Sequence, residues 1–396
     1  MAGFAEVRGG VRSQPIPEQN DLTLGEARLQ LTADRTRGSL RFRGTIDLLA
    51  DAVSEDQSID LRLGEGPLDL REVSAYWRPG SYLDLKVGRQ VATWGTGDLI
   101  FINDLFPKDF KSFFLGRDQE YLKAPSDAIR VGLYSSALNL DLVATPRFNP
   151  DRYLDGDRIS FYNPQSGESV GKSERFRADL PDRPEFALRA YRLFDSWETA
   201  AYFYYGFWKS PSSLQQLPSG LFQPTFSPLT VYGASLRGPL LNGIAHAEFG
   251  WYHSRDDSAG SDPLIANSER RYLLGYEQEL ATNLTLGLQT YLEETLQFEA
   301  LRTSLPPEDP LPDRWRHQMT LRLTKLALQE DLTLSLFIFW SPTDQDIYAR
   351  PKFSYRLNQT WTLSAGANLF QGKSKTTFWG QFQDNTNLWL ALRASF

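Results

Sequence analysis

The chain has 396 residues, no cysteine and two methionines, against 25 Phe, 17 Tyr and 10 Trp. Its 42 basic and 49 acidic residues leave a net charge of −7, which carries no nucleic-acid footprint, and the missing cysteine excludes a disulfide framework and thiolate metal sites. Mean hydropathy is −0.41, and no apolar run approaches the ~18 residues that a membrane-spanning helix needs.

The opening MAGFAEVRGG has neither the charged start nor the apolar stretch of a secretory signal. It fits either a cytosolic chain or a mature end carrying an added Met1. From there, segments rich in Leu, Tyr, Phe, Val and Thr alternate polar and apolar residues with the period of a strand. In chain order eighteen are expected, at about 4–14, 22–34, 38–52, 68–79, 82–94, 127–136, 138–148, 184–194 and 196–209, then 229–240, 243–256, 269–281, 283–296, 314–327, 331–343, 346–357, 360–373 and 385–396. Helical turns are expected only within 99–124.

The connections alternate as well. Tight turns at 35–38, 78–81, 194–196, 240–243, 281–283, 329–331 and 358–360 take turns with long segments at 53–67, 95–126, 149–183, 210–228, 257–268 and 297–313. A meander built this way collects its short turns at one end and its long loops at the other, the sorting of an outer-membrane barrel.

The faces agree with that sorting. In GSLRFRGTIDLL, Leu40, Phe42, Ile46 and Leu48 oppose Arg41, Arg43, Thr45 and Asp47. In RWRHQMTLRLT, Trp315, Met319, Leu321 and Leu323 oppose Arg316, Gln318, Thr320 and Arg322. No amphipathic helix is present to cover so many strands in a soluble sandwich. Apolar residues outward, polar residues inward and a sheet without edges fit every strand at once. The expected architecture is all-β: a single domain over 1–396, a closed antiparallel up-and-down transmembrane barrel of about eighteen strands in the bacterial outer membrane. Barrels of that size leave an aqueous channel.

Inward positions are rich in bases. Once the barrel closes, Arg12, Arg28, Arg41, Arg43, Arg316, Arg322, Arg350, Lys352, Arg356 and Arg393 are expected on neighbouring strands as one basic sector, favouring small anionic solutes. The alternative is a lattice of Arg–carboxylate pairs along the wall, each pair worth little. The third long loop, 95–126, holds Leu99, Ile100, Phe101, Ile102, Leu105, Phe106, Phe110, Phe113, Phe114 and Leu115, too apolar a set for a solvated loop. It is expected to fold into the lumen and narrow it, turning Asp98, Asp104, Asp109, Asp118 and Glu120 toward the basic sector. The bland alternative is a lid over the mouth.

At the entry to this loop, GRQVATWGTGD (Gly88-Arg89-Gln90, Trp94-Gly95 and Asp98), followed by Asn103-Asp104, resembles the Gly-Arg-Gln…Trp-Gly signature of Gram-negative outer-membrane porin-like families. These include the alginate-export type and related barrels of about eighteen strands. The resemblance implies passive diffusion, or export of polymers or small molecules, across the outer membrane. Strict parity would turn Arg89 toward lipid, so a bulge at Gly88 is expected to bring it inward among the pore-lining bases.

No enzyme is expected. His246, His253 and His317 lie in no HExxH or Gly-x-Ser-x-Gly context, and GEG at 64–66 and GTG at 95–97 lack the spacing of a phosphate loop. Asp151, Asp155 and Asp157 in DRYLDGD lack the spacing and the closing Glu of a calcium loop. Trp77, Trp315, Trp340, Trp361 and Phe396 are expected as interface aromatics. The final LWLALRASF, with Leu388, Leu390, Leu392 and Ala394 toward lipid, resembles the address read by barrel-insertion machinery. Small outward residues at Ala365, Ala367 and Ala394 are a weak sign of an oligomer contact.

The implied partners are outer-membrane lipid and lipopolysaccharide, the barrel-assembly machinery, and a second copy or a periplasmic protein. No cofactor, metal or nucleic acid is expected. The competing reading is an export conduit or scaffold barrel that works with a periplasmic or surface partner.

Overall fold

The computed structural model describes residues 2–396 except 18, 55–57, 164–165, 219, 221, 307–308 and 310. Met1 and those parts of the expected long loops therefore lie outside the described residues. Among the described residues one sheet of eighteen strands closes on itself. The strands are β1 (Ala2–Arg12), β2 (Leu22–Arg37), β3 (Leu40–Asp51), β4 (Leu68–Gly80), β5 (Leu83–Gln90) and β6 (Ser126–Leu133). They continue with β7 (Asn139–Thr145), β8 (Glu185–Phe194), β9 (Trp197–Phe207), β10 (Pro228–Leu240), β11 (Gly243–Ser254) and β12 (Glu269–Ala281). The last six are β13 (Leu284–Thr295), β14 (Trp315–Ala327), β15 (Leu332–Ser341), β16 (Asp346–Arg356), β17 (Trp361–Gly372) and β18 (Asn387–Ser395).

Each strand pairs antiparallel with the next, and β1 pairs with β18 from Phe4↔Ser395 to Arg12↔Asn387. That seam removes both edges of the sheet. The backbone N–H of Phe396 donates to Gly3 O and that of Gly3 donates to Phe396 O, at 3.0 and 2.9 Å. A Cβ on Gly3 would lie 2.2 Å from Gln30 O, so strand and neighbour meet too closely there for any side chain.

Burial follows the period of two. In β1, Phe4, Glu6, Arg8 and Arg12 are buried while Ala5, Val7, Gly9 and Val11 are exposed. The exposed face is the apolar one and the buried face carries the charges, the reverse of a soluble domain. Several short turns need positive φ: Gly38 (60°), Asp195 (52°), Leu241 (53°) and Asn283 (61°). These conformations match the right-handed twist of the hairpins they close. At the other end lie the long segments and one short turn, between Ser341 and Asp346.

Strand ends move by a few residues from those read in the sequence, most at β5, which stops at Gln90 instead of reaching 94. The bulge expected at Gly88 is absent. The ladder runs unbroken through Ser74↔Gly88 and Val73↔Arg89, and on the other side through Arg89↔Asp127. Gly88 instead takes φ 116°, where a Cβ would lie 2.3 Å from Val73 O. Arg89 keeps the parity of the exposed Val73. It is hidden because its guanidinium donates to Leu70 O and Arg62 O, with Asp127 at 3.5 Å.

The 99–124 stretch holds a short helix α1 (Phe110–Leu115) and a 3-10 turn (Gln119–Leu122). Period-two reading did not foresee α2 (Phe298–Ser304) or the loop hairpins Phe161–Asn163/Glu168–Val170 and Ser213–Gln216/Phe222–Thr225.

Candidate functional site

The segment between β5 and β6 is held by contacts to the buried face of the sheet, and its first anchor is a carboxylate. Glu248, on β11, accepts from the backbone N–H of Thr96, from the Thr96 hydroxyl (2.9 Å), from Gly97 N (2.8 Å) and from Asn103 N and Nδ2 (3.2 and 2.8 Å). Gly95, at φ 82°, turns the chain over this group, and a Cβ there would lie 3.1 Å from Glu248 Oε1. No cation pairs with Glu248 among the described residues. Its charge is spread over converging donors, which suits a buried carboxylate as well as a counter-ion would.

One residue further on, Gln289 of β13 clasps the backbone of Asp98, accepting from its N (2.7 Å) and donating to its O (2.8 Å). The Asp98 carboxylate lies 2.8 Å from Arg322 of β14. Burial raises its pKa above the ordinary aspartate value of 3.8, Arg322 opposes that, and Glu277 adds to it.

Helix α1 begins at Asp109, whose carboxylate caps it by accepting from Ser112 N at 2.7 Å. Its two consecutive aromatics enter a ring cluster with β15, β16 and β17: Phe113 lies edge-on to Phe339, and Phe114 stacks on Tyr348 and Phe370 at 5.6 and 5.5 Å. Gly116 ends the helix at φ 82°, pressed so closely on Trp389 that a Cβ would lie 2.2 Å from that ring.

Three charged residues follow in spatial order. Arg117 pairs with Glu26 of β2, and Asp118 meets Lys352 (2.8 Å), Arg393 (2.6 Å) and Arg8 (3.4 Å). Glu120 meets Arg393 at 3.1 Å. Burial alone would raise the Asp118 pKa, but Lys352, Arg8 and Arg393 together draw it down to about 2. The Tyr121 hydroxyl donates to Asp47 at 2.8 Å, with Arg28 4.2 Å above its ring.

Of the bases named from the sequence, five touch this segment: Arg28, Arg322, Lys352, Arg393, and Arg350, which donates to Phe113 O and lies 3.9 Å over the Phe113 ring. Six do not. Arg12 donates to Asn20 O and Asn385, Arg316 pairs with Asp344, Arg356 with Asp331, Arg41 with Asp34, Arg43 with Glu72 at 3.3 Å, and Arg89 lies as described above. Arg41, Arg43 and Arg356 belong to the short-turn end, Arg12 and Arg316 to the long-loop end.

Among the acids, Asp98, Asp118 and Glu120 meet those bases, whereas Asp104 pairs with Lys108 (3.0 Å) and Asp109 with Arg152 (3.2 Å). Asp151 accepts from Lys108 N, while Asp155 pairs with Lys111 and shares Arg175 with Asp157, and among the described residues these carboxylates do not form one cation site.

Glu248 and Gln289 were not singled out in the sequence, although the parity of AHAEFG puts Glu248 on the face of His246. The exposed aromatics form two belts. Trp77, Trp361 and Phe396 lie at the short-turn end, and Trp315 and Trp340 at the long-loop end. Tyr205, Tyr232 and Trp251 join the second belt, with Tyr232 and Trp251 rings 5.8 Å apart.

No family model matches the chain, and no curated protein does either. Solved structures do. OccK11 (OpdR) of Pseudomonas aeruginosa aligns with all of this chain and 94% of its own, at 10% identity and a TM-score of 0.55. A loop-deletion mutant of OmpT, an outer membrane protein of Vibrio cholerae, aligns with all of this chain and 98% of its own, at 10% identity and a TM-score of 0.44. A mutant of the Rh. blastica porin covers the same extent of this chain and 99% of its own, at 10% identity and 0.43. The OccK11 likeness shows a shared barrel fold and nothing finer.

Proposed function

We propose that the chain is a bacterial outer-membrane channel through which small hydrophilic solutes diffuse. The observation that carries this reading is the inversion of the sheet: an apolar exposed face belted by aromatics at both ends, a charged buried face, and no free edge. Lipid and lipopolysaccharide would contact the first face and solute the second. Reconstitution into planar bilayers should give discrete, stable conductance steps; a folded, heat-modifiable barrel that never conducts would overturn the reading.

The segment between β5 and β6 is, in this reading, the constriction. Supporting it, partners of the segment come from β2, β3, β11, β13, β14, β16 and β18, strands spread around most of the barrel. An anion bias is a finer proposal, carried by few groups because most wall bases already have a carboxylate beside them. It rests on Arg350, which has no ion-pair partner among the described residues. Under a salt gradient the reversal potential should favour chloride over potassium by about twofold, a modest bias in a wide charged pore. Arg350→Gln should bring the ratio to unity, and an unchanged ratio would remove Arg350 from the selectivity determinants.

Asp98 supplies a pH test. Its folded-state pKa lies above its unfolded value, so protonation favours the folded arrangement and the cost of burying its charge disappears as pH falls. Acidification from neutral should neutralise Asp98 before ordinary carboxylates and loosen its link to Arg322. Asp118 titrates at about 2 and stays ionised throughout. The change in conductance between neutral pH and pH 4 should be smaller in Asp98→Asn than in the wild type; the same pH profile in both would contradict this.

The second reading is an export conduit, of the alginate-export type or another, or a scaffold barrel held closed until a periplasmic or surface protein engages it. The same wide spread of segment contacts favours it. A barrel silent alone and conducting only after the segment is released would select this reading.

A further inference from the structure

One row of the exposed face departs from its apolar pattern. Cross-strand register sets Tyr232, Trp251, Arg270, Glu294 and Trp315 side by side from β10 to β14, at the long-loop end of the wall. Tyr232, Trp251 and Trp315 are exposed members of the second aromatic belt, the level at which a barrel wall passes from hydrocarbon to headgroups. A charged side chain on the outer face is unfavourable at mid-wall and tolerated only near that level.

Glu294 is 4% exposed, although it has the strand parity of the outward Leu288. Two guanidinium groups cover it. Arg270 donates to it at 3.4 Å from its own row, and Arg314, the residue before Trp315, donates at 3.1 Å. The two arginine side chains themselves remain 48% and 54% exposed, and neither has a second carboxylate partner among the described residues. One guanidinium is enough to neutralise one carboxylate, so the row carries a surplus positive charge. Each arginine also keeps N–H donors that Glu294 does not take, and the shared carboxylate holds the two side chains together. Further along the same belt, Arg255 lies 3.9 Å over the Tyr205 ring and has no ion pair among the described residues. The exposed acids beside these bases in sequence, Asp256 and Asp313, pair with none of them among the described residues.

We propose that Arg270 and Arg314 form a site on the outer wall for the phosphate of an outer-leaflet lipid, the lipid A part of lipopolysaccharide. Planar guanidinium groups match phosphate oxygens through paired, charge-assisted hydrogen bonds. Below the row, the exposed Leu274, Leu288 and Met319 offer an apolar surface to the acyl chains. A zwitterionic headgroup brings an ammonium along with its phosphate, which the surplus positive charge opposes. The site rests on the outer-membrane reading for the identity of its lipid and not on any conductance. A conducting barrel that fails to retain the lipid removes the site alone, and a silent barrel that retains it removes the channel alone.

The test is titration of diphosphoryl lipid A into the folded full-length barrel in a non-ionic detergent, with bound copies counted by native mass spectrometry and heat-modifiable migration as the check of folding for each variant. Saturable retention is expected, about tenfold tighter than that of the same lipid stripped of its phosphates. The double variant Arg270→Gln/Arg314→Gln should lose that preference, whereas Arg78→Gln, at the short-turn end, should keep it. Inorganic phosphate at the lipid's concentration should not displace the lipid. Equal retention of the dephosphorylated lipid, an unchanged preference in the folded double variant, an equal loss in Arg78→Gln, or displacement by free phosphate would each overturn the proposal.

Discussion

Replacing Glu248 by alanine should raise single-channel conductance several-fold and open the 91–125 segment to protease. Backbone and side-chain donors of Thr96, Gly97 and Asn103 converge on this one carboxylate. Hydrogen bonds to a charged acceptor are worth about 1.5–3 kcal/mol each, and here they share an acceptor, so they fail together rather than additively. The orphaned N–H groups would then seek water, which draws the stretch 95–103 off the wall. Glu248→Gln should fall between the two, because its amide nitrogen faces donors where an acceptor is needed. Limited trypsin digestion should cut at Lys108, Lys111 or Arg117 in the alanine variant and not in the wild type. If conductance and digestion pattern both match the wild type, Glu248 is not the anchor.

Replacing Glu26 by alanine should cost the barrel about 3–5 kcal/mol, the scale for removing one partner from a buried ion cluster. Glu26 pairs with Arg117 and with Arg158, at 3.4 Å for the latter, and Arg28 stands 3.7 Å away. Arg158 also pairs with Asp51. This one carboxylate therefore joins β2 to two different long segments. Without it three guanidinium groups crowd a site left to Asp47 beside Arg28 and to Asp51 and Asp157 beside Arg158. The urea midpoint followed by electrophoretic migration in detergent should fall markedly, and bilayer currents should flicker as both segments loosen. Glu26→Gln should lose less, since it keeps an acceptor oxygen. A wild-type midpoint in the alanine variant would contradict the assignment.

The barrel was legible in the sequence because its physics is local and periodic. Every strand of the closed sheet carries one apolar exposed face, so Leu40, Phe42, Ile46 and Leu48 betray their side of the sheet without knowledge of their neighbours. Strand ends were less legible: nothing in VATWG marks β5 as ending at Gln90, because the segment leaves the sheet for a carboxylate on β11 that is distant in sequence. Arg89 shows the same limit. Parity alone made it improbable in lipid, and the actual remedy was not a bulge but two carbonyls, one from β4 and one from the loop before it. The basic sector could be read as a set of inward positions, but height along the barrel and the choice of counter-ion could not. Arg322 and Arg393 meet the segment, while Arg41 and Arg356 meet Asp34 and Asp331 at the turns.

The seam between β1 and β18 has a consequence for how the molecule comes together. Asp118 bridges Arg8 on the first strand and Arg393 on the last, and Gly116 presses on Trp389 of that same last strand. Half of this docking place is made at the beginning of the chain and half at the end, so it does not exist until the two meet. Pairings between such remote stretches form late, since the entropy of closing the intervening chain must be overcome first. Seating of the segment is therefore coupled to the final zipping of the cylinder, and an unsealed sheet carries it loose. Trp389, covered in part by Arg8 and Gly116, should change its fluorescence at that last step.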